Sequence, residues 1–253
     1  MRKSIQMNRL AVVVALLLLA VAHPLAAQEG GDLQAQILYA FQTEDVNHLG
    51  DLIGNLRAKV ATDGGDAARY HLAHAEYRYA LLIGGKSAAK AEAAAADCVA
   101  RLQAVLANSP KSAETLTLQA ACYEKMAEFK TLEGVFLRAR ATDRLDTAYK
   151  IAPRNPRVLL MMATFGLAHA PAGSTQARAA MARLELAARL FERSSATRPD
   201  VPGWGHAEAY LLLGRELLRR GDLVGARNWI ERALITAPDY EAAKRELAKL
   251  RGR

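Results

Sequence analysis

The sequence predicts an all-α protein, an α-solenoid assembled from antiparallel helix pairs. Three observations carry that expectation. Four times a proline is preceded, at the same offsets, by a small residue, a large apolar residue and another compact one: Cys98/Leu102/Val105/Pro110, Ala141/Leu145/Ala148/Pro153, Ala187/Phe191/Ser194/Pro199 and Ala226/Ile230/Ala233/Pro238. Offsets of four and three place the first three members on one helix face, and the proline then stops the helix by removing a donor and crowding the preceding turn. The sets recur every 39 to 46 residues, the period of stacked helical hairpins. No stretch shows the strict polar/apolar alternation of a half-buried strand.

The chain divides into 1–27, 28–65 and 66–253. In the first part Arg2, Lys3 and Arg9 precede an unbroken run of 13 apolar residues, Leu10 to Ala22, and His23 to Ala27 follow, ending in small residues. That run suits a secretory signal core of about 7 to 15 residues and falls short of the roughly 20 that cross a bilayer. A Sec-type leader cut after Ala27 is expected; an uncleaved amino-terminal anchor is the alternative. With no cysteine near the leader, a lipid-modified cysteine is excluded there. No later segment is apolar enough to span, so no stable membrane insertion is expected after cleavage. The expected compartment is the periplasm or the exterior.

Helical periodicity continues through 31–42 and 44–60 in the second part. The third part gives helices over 66–83, 87–106, 112–129, 136–151, 155–168, 174–195, 205–219, 222–236 and 239–250. The last full pair is the clearest. Tyr210, Leu213, Gly214 and Leu217 form the stripe of a first helix, Gly221 and Asp222 make the turn, and Ala226, Ile230, Ala233 and Pro238 mark the second. Gly214 and Ala226 are small where the two helices cross, so their backbones approach closely. Asp222 is placed to cap the second helix.

This pattern resembles the tetratricopeptide repeat, whose signature is an aromatic, Leu-Gly and a bulky residue, followed by Ala, an aromatic or aliphatic residue and Pro. Every signature position from Tyr210 to Pro238 is filled. Earlier units match with delays: Leu116, Gln119, Ala120 and Tyr123 are followed by Ala141 nine residues late, after an insertion near 131–138, and Leu159, Met162, Ala163 and Gly166 by a set twelve residues late, through a loop over 169–175. Tyr70, Ala73, Tyr77 and Leu81 suggest a degenerate leading repeat. Phrases such as Asn155 to Val158 and Gly203 to Tyr210 look like a bacterial subfamily of exported repeat proteins. The resemblance implies a right-handed superhelix and a compartment, and it implies no reaction.

Removing the leader takes 3 of the 34 basic residues, leaving 31 against 26 acidic, a net charge of +5. Those charges are mixed along helices, without the concentrated stripe and stacking aromatics of a nucleic-acid binder, so no nucleic-acid partner is expected. The basic segment from Lys244 to Arg253 reads as a solvated capping helix, because the end of a solenoid presents a polar outer face.

Cys98 and Cys122 each lie twelve residues from Pro110, at one height on adjacent helices. A disulfide there would stabilise by about 3 kcal/mol on the chain-entropy estimate. The obstacle is distance, since helix axes lie about 8 to 10 Å apart and bonded cysteines need α-carbons within about 6.8 Å. Two readings stay open: a bond, allowed by the small alanines at 95, 96, 120 and 121, or two buried thiols.

A search for catalytic constellations finds none. His71 and His74, with Glu76 nearby, lack the His-Glu-x-x-His arrangement and a third ligand, and read as solvated helix residues. Glu124 and Glu128 have ordinary helical spacing, and Arg220-Gly-Asp222 is explained by turn and cap chemistry. No catalytic residue, metal or cofactor is expected.

In proteins resembling this one, the first helices of successive repeats line a concave face that contacts extended peptides or partner helices. The corresponding positions are Arg157, Leu160, Thr164 and Leu167 in one unit and Glu208, Leu211, Arg215 and Leu218 in the next. They read either as an apolar groove with two arginines able to hold an acidic group, or as leucines buried internally by the carboxyl-terminal helix or the helices before residue 60. The functional expectation is a non-catalytic protein- or peptide-binding scaffold. The alternatives are a structural envelope subunit that forms a homo-oligomer through its repeats, and an enzyme whose site is built from the two insertions.

Overall fold

The structure is a computed structural model that describes residues 32–62, 64–193 and 202–251. All regular structure among the described residues is helical: α1 (32–42), α2 (Val46–Thr62), α3 (Asp66–Ile83), α4 (Ala88–Asn108), α5 (Ala113–Ala127), α6 (Glu133–Ile151), α7 (Pro156–His169), α8 (Thr175–Arg193), α9 (His206–Arg219), α10 (Leu223–Thr236) and α11 (Glu241–Arg251). The expected leader over 1–27 lies outside the described residues, as do Ser194 and Pro199 of the third stripe. Among the described residues no helix is long and apolar enough to cross a membrane.

Helix ends follow from local chemistry. Helices α4, α6 and α10 each end two residues before their proline, because the residue preceding proline is pushed out of the helical region. At the other ends, the Ser112 hydroxyl accepts from Thr115 N at 3.3 Å, the Asn155 amide oxygen accepts from Arg157 N at 2.9 Å, and the Asp222 carboxylate accepts from Gly225 N at 2.8 Å. Each satisfies amides that the first helical turn leaves unpaired. Gly221, in the turn before Asp222, has φ of 84°, a conformation that glycine adopts without steric cost.

Helix α3 packs on α4, α5 on α6, α7 on α8 and α9 on α10; α4 also meets α5, α6 meets α7 and α8 meets α9, while α3 contacts α5 and α5 contacts α7. The described stripe residues ahead of each proline all lie in the core, from Cys98 and Leu102 to Ile230 and Ala233, while Pro110, Pro153 and Pro238 are exposed. The close approaches expected of small residues are present. A Cβ on Gly214 would lie 2.5 Å from Ile230 Cγ1, and one on Gly166 would lie 2.7 Å from the Ala180 Cβ.

The two delays in the repeat are built differently from the expected insertions. The segment near 131–138 is helical from Glu133 onward, so α6 starts earlier than position 136. After the turn at 170–174, Ala187 lies twelve residues beyond the start of α8, whereas Ala226 lies three beyond the start of α10. The extra residues therefore mostly lengthen second helices.

The segment before α3 builds a second apolar cluster, in which Ile37 and Ala40 of α1 and Leu49, Leu52, Ile53 and Leu56 of α2 pack with Leu72 and Ala75 of α3. Its far side meets the other end of the chain. Phe41 lies 6.3 Å from the Tyr240 ring, the Arg245 guanidinium donates to Glu44 at 2.9 Å, and the Gln34 amide oxygen accepts from Gly203 N.

Candidate functional site

A cavity of about 230 Å³ opens where α1, α3, α7 and α9 face one another. Helix α3 supplies Tyr77, Arg78 and Leu81; α7 supplies Leu160, Met161 and Thr164; α9 supplies Glu208, Leu211, Leu212 and Arg215; Phe41, Trp204 and Tyr240 complete the lining. Five of the eight expected contact positions are therefore brought together: Leu160, Thr164, Glu208, Leu211 and Arg215. Leu160 and Leu211 are only 4% and 2% exposed and share the lining with Phe41 of the amino-terminal segment and Tyr240 before α11.

The other three positions play different parts. Arg157 is buried, and its Nε and Nη2 donate to the two oxygens of Glu114 at 2.8 and 2.7 Å. The Asn155 side-chain amide also donates to Glu114, at 2.6 Å. This joins α7 to the first turn of α5, and Arg157 is not available to grip an acidic partner. Leu167 and Leu218 are half-buried and pack on the core. Arg215 remains about half exposed, with Nε donating to Glu246 at 3.0 Å.

The central charged residue is Arg78, 4% exposed and absent from the expected set. Its Nε donates to His74 Nε2 at 3.0 Å, and its Nη2 donates to Glu208 Oε1 at 2.5 Å. The guanidinium also sits 4.4 Å from the Phe41 ring centroid and 5.6 Å from that of Trp204, where ring quadrupoles favour a cation. The second Glu208 oxygen accepts from Gly205 N at 3.0 Å, which ties the site to the start of α9. Trp204 is held by its indole N–H, which donates to Tyr70 Oη at 3.1 Å.

His71 and His74 are buried, not solvated as their helical spacing suggests. Burial holds the His74 imidazole well below its usual range and the Arg78 charge adds to the effect. Because Arg78 donates to Nε2, the neutral ring carries its proton on Nδ1. Burial likewise lowers His71. No group of three or more metal-ligating side chains occurs among the described residues. Glu76, next along α3, is fully buried and accepts from Arg57 Nη2 at 3.1 Å, with Arg101 3.9 Å away.

On the far side of α3, the sulfurs of Cys98 and Cys122 are joined in a disulfide, with α-carbons 6.2 Å apart. Both residues are fully buried among alanines. The small side chains let α4 and α5 come within bonding range.

The sequence holds one signal for Arg78, its place between Tyr77 and Tyr79 in α3. Its partner Glu208 lies 130 residues away, and nothing local pairs them. Searches against known protein families and curated proteins match nothing along this chain.

Proposed function

We propose that this chain is an exported α-solenoid of tetratricopeptide-like helix pairs, a non-catalytic scaffold that binds a protein or peptide partner at the cavity between its first helices. The observation that carries the reading is the convergence of α3, α7 and α9 on one aromatic-lined cavity whose mouth bears the half-exposed Arg215. Contacts between α3 and α5 and between α5 and α7, added to those within each pair, support the solenoid stacking. The amino-terminal charge and apolar pattern supports export to the periplasm, and the disulfide suits an oxidising compartment.

The closed inner side limits the mode of binding. A cavity of about 230 Å³ admits one anchoring side chain, not a helix or an extended segment. The partner therefore inserts a single group and rests on the rim at Arg215 and Thr164. Arg215→Glu tests this: the variant loses capture of the partner that wild-type protein retrieves from an envelope fraction, while its melting temperature falls by no more than a few degrees, because Arg215 is half exposed. Undiminished capture by the variant refutes the reading.

A further inference from the structure

Both arginines of the cavity keep donor positions with no hydrogen bond among the described residues. Arg78 donates through Nε and Nη2, and its Nη1 has no hydrogen bond among the described residues although the side chain is only 4% exposed. Arg215 donates through Nε alone, leaving both Nη groups without a hydrogen bond there. The Tyr77 and Tyr240 hydroxyls line the same space with no partner among the described residues, on side chains 8% and 5% exposed. Burial pushes both phenols up, Tyr77 to about 12, so each is a neutral donor at physiological pH.

The two carboxylates beside these arginines are already engaged. Glu208 is engaged through both oxygens, by Arg78 and by Gly205 N, and Glu246 through both, by Arg215 and Lys249. Guanidinium N–H groups left open at a cavity are placed to donate to the oxygens of an anion. The remaining walls are apolar or aromatic, and a ring the size of benzene fills a cavity of about 150 Å³. The 230 Å³ here leave room for a ring and a short tail.

We propose that the cavity binds a small free carboxylate with an apolar, ring-sized body, the carboxylate received by Arg78, Arg215 and the two tyrosine hydroxyls. This rests on the reading of the cavity as the binding site and goes beyond it by giving the occupant its chemistry. It does not require a protein partner.

The test uses the mature chain and three probes of one shape, 3-phenylpropionate, 3-phenylpropanamide and 3-phenylpropylamine, titrated by calorimetry. The Trp204 indole N–H is followed by NMR and identified by its persistence in Trp229→Phe. The anion binds at least about tenfold more tightly than the amide or the amine, the difference expected of one charge-assisted hydrogen bond, and it shifts the Trp204 signal. Arg215→Met, which spares the buried core, removes that preference, and Tyr240→Phe weakens the anion alone. Equal affinity for the three probes, a preference for the amine, an unchanged preference in Arg215→Met, or no binding at all overturns the proposal. A peptide with the same ring and carboxylate at its end binding more tightly than the free acid also overturns it, in favour of a chain-borne occupant. Partner capture by wild-type protein and its loss in Arg215→Glu are read separately, so the scaffold reading stands or falls independently.

Discussion

Replacing Gly214 by alanine adds one methyl group at the crossing of α9 and α10. Its Cβ would fall 2.5 Å from Ile230 Cγ1 and 3.1 Å from the Ala226 carbonyl oxygen, and one of those neighbours is backbone. Overpacking of this kind costs about 1–3 kcal/mol. The same change removes a glycine from a helix interior, which gains about 1 kcal/mol. The two effects separate by comparison with Gly54, which lies inside α2 and where an added methyl would meet nothing within 4 Å. Gly54→Ala should stabilise by up to about 1 kcal/mol, and Gly214→Ala should fall about 1–3 kcal/mol below it, the helix term cancelling. For a domain of this size that is a difference in melting temperature of roughly 2–12 °C. Urea unfolding of both variants measures it directly. In an Ile230→Ala background the side-chain part of the obstruction is gone while the Ala226 carbonyl oxygen stays 3.1 Å away, so Gly214→Ala should cost less than in the parent protein, a coupling of about 1–3 kcal/mol. Should Gly214→Ala stabilise the parent protein as much as Gly54→Ala does, intimate contact between paired helices is not what selects the small residue, and the packing argument fails.

Two further predictions concern α3 and its neighbours. Burial, only partly offset by Arg101 and Arg57, raises the Glu76 carboxyl from 4.5 to about 7. A carboxyl raised on folding contributes stability that is complete below its unfolded value and is lost as pH rises through the folded one. Wild-type protein should therefore lose up to about 3 kcal/mol relative to Glu76→Gln between pH 5 and pH 8. The subtraction removes the opposite contribution of His71 and His74, and parallel urea profiles for the two proteins would rule the idea out. For the Cys98–Cys122 bond, thiol titration in denaturant should detect no free thiol before reduction and two after it. Reduction should lower stability by about 3 kcal/mol; two thiols in unreduced protein isolated from an oxidising compartment would contradict the bonded structure.

Most of the helical architecture is legible in the sequence because its signals are local. A four-then-three stripe followed by proline needs only about fifteen neighbouring residues to specify where a helix runs and ends, and the caps at Asn155 and Asp222 lie within a turn of what they cap. A repeat signature marks the stripe but says nothing about how far a helix extends ahead of it, so the delays before Ala141 and Ala187 look like insertions until the longer helices are seen. The site is legible only in part. Spacing places Leu160, Thr164, Glu208, Leu211 and Arg215 along one side, but it cannot show that Phe41 and Tyr240, 199 residues apart, meet at the same cavity. That depends on the tertiary packing of the whole set of helices. The role of Arg157 is hidden for the same reason: Glu114, which occupies it, belongs to the preceding pair. Arg78 and Glu208, 130 residues apart, are likewise paired only by the tertiary fold.

The meeting of Phe41 with Tyr240 and of Glu44 with Arg245 changes how the molecule carries force. An open stack of helix pairs behaves as a spring, since each pair flexes against its neighbours alone. Where residues near the two ends of the described chain hold each other, a load on the helices between them is shared. That hold is spread over the Phe41–Tyr240 rings, the Glu44–Arg245 ion pair, the Gln34–Gly203 hydrogen bond and the Arg78–Glu208 pair, so parting the ends breaks several contacts at once.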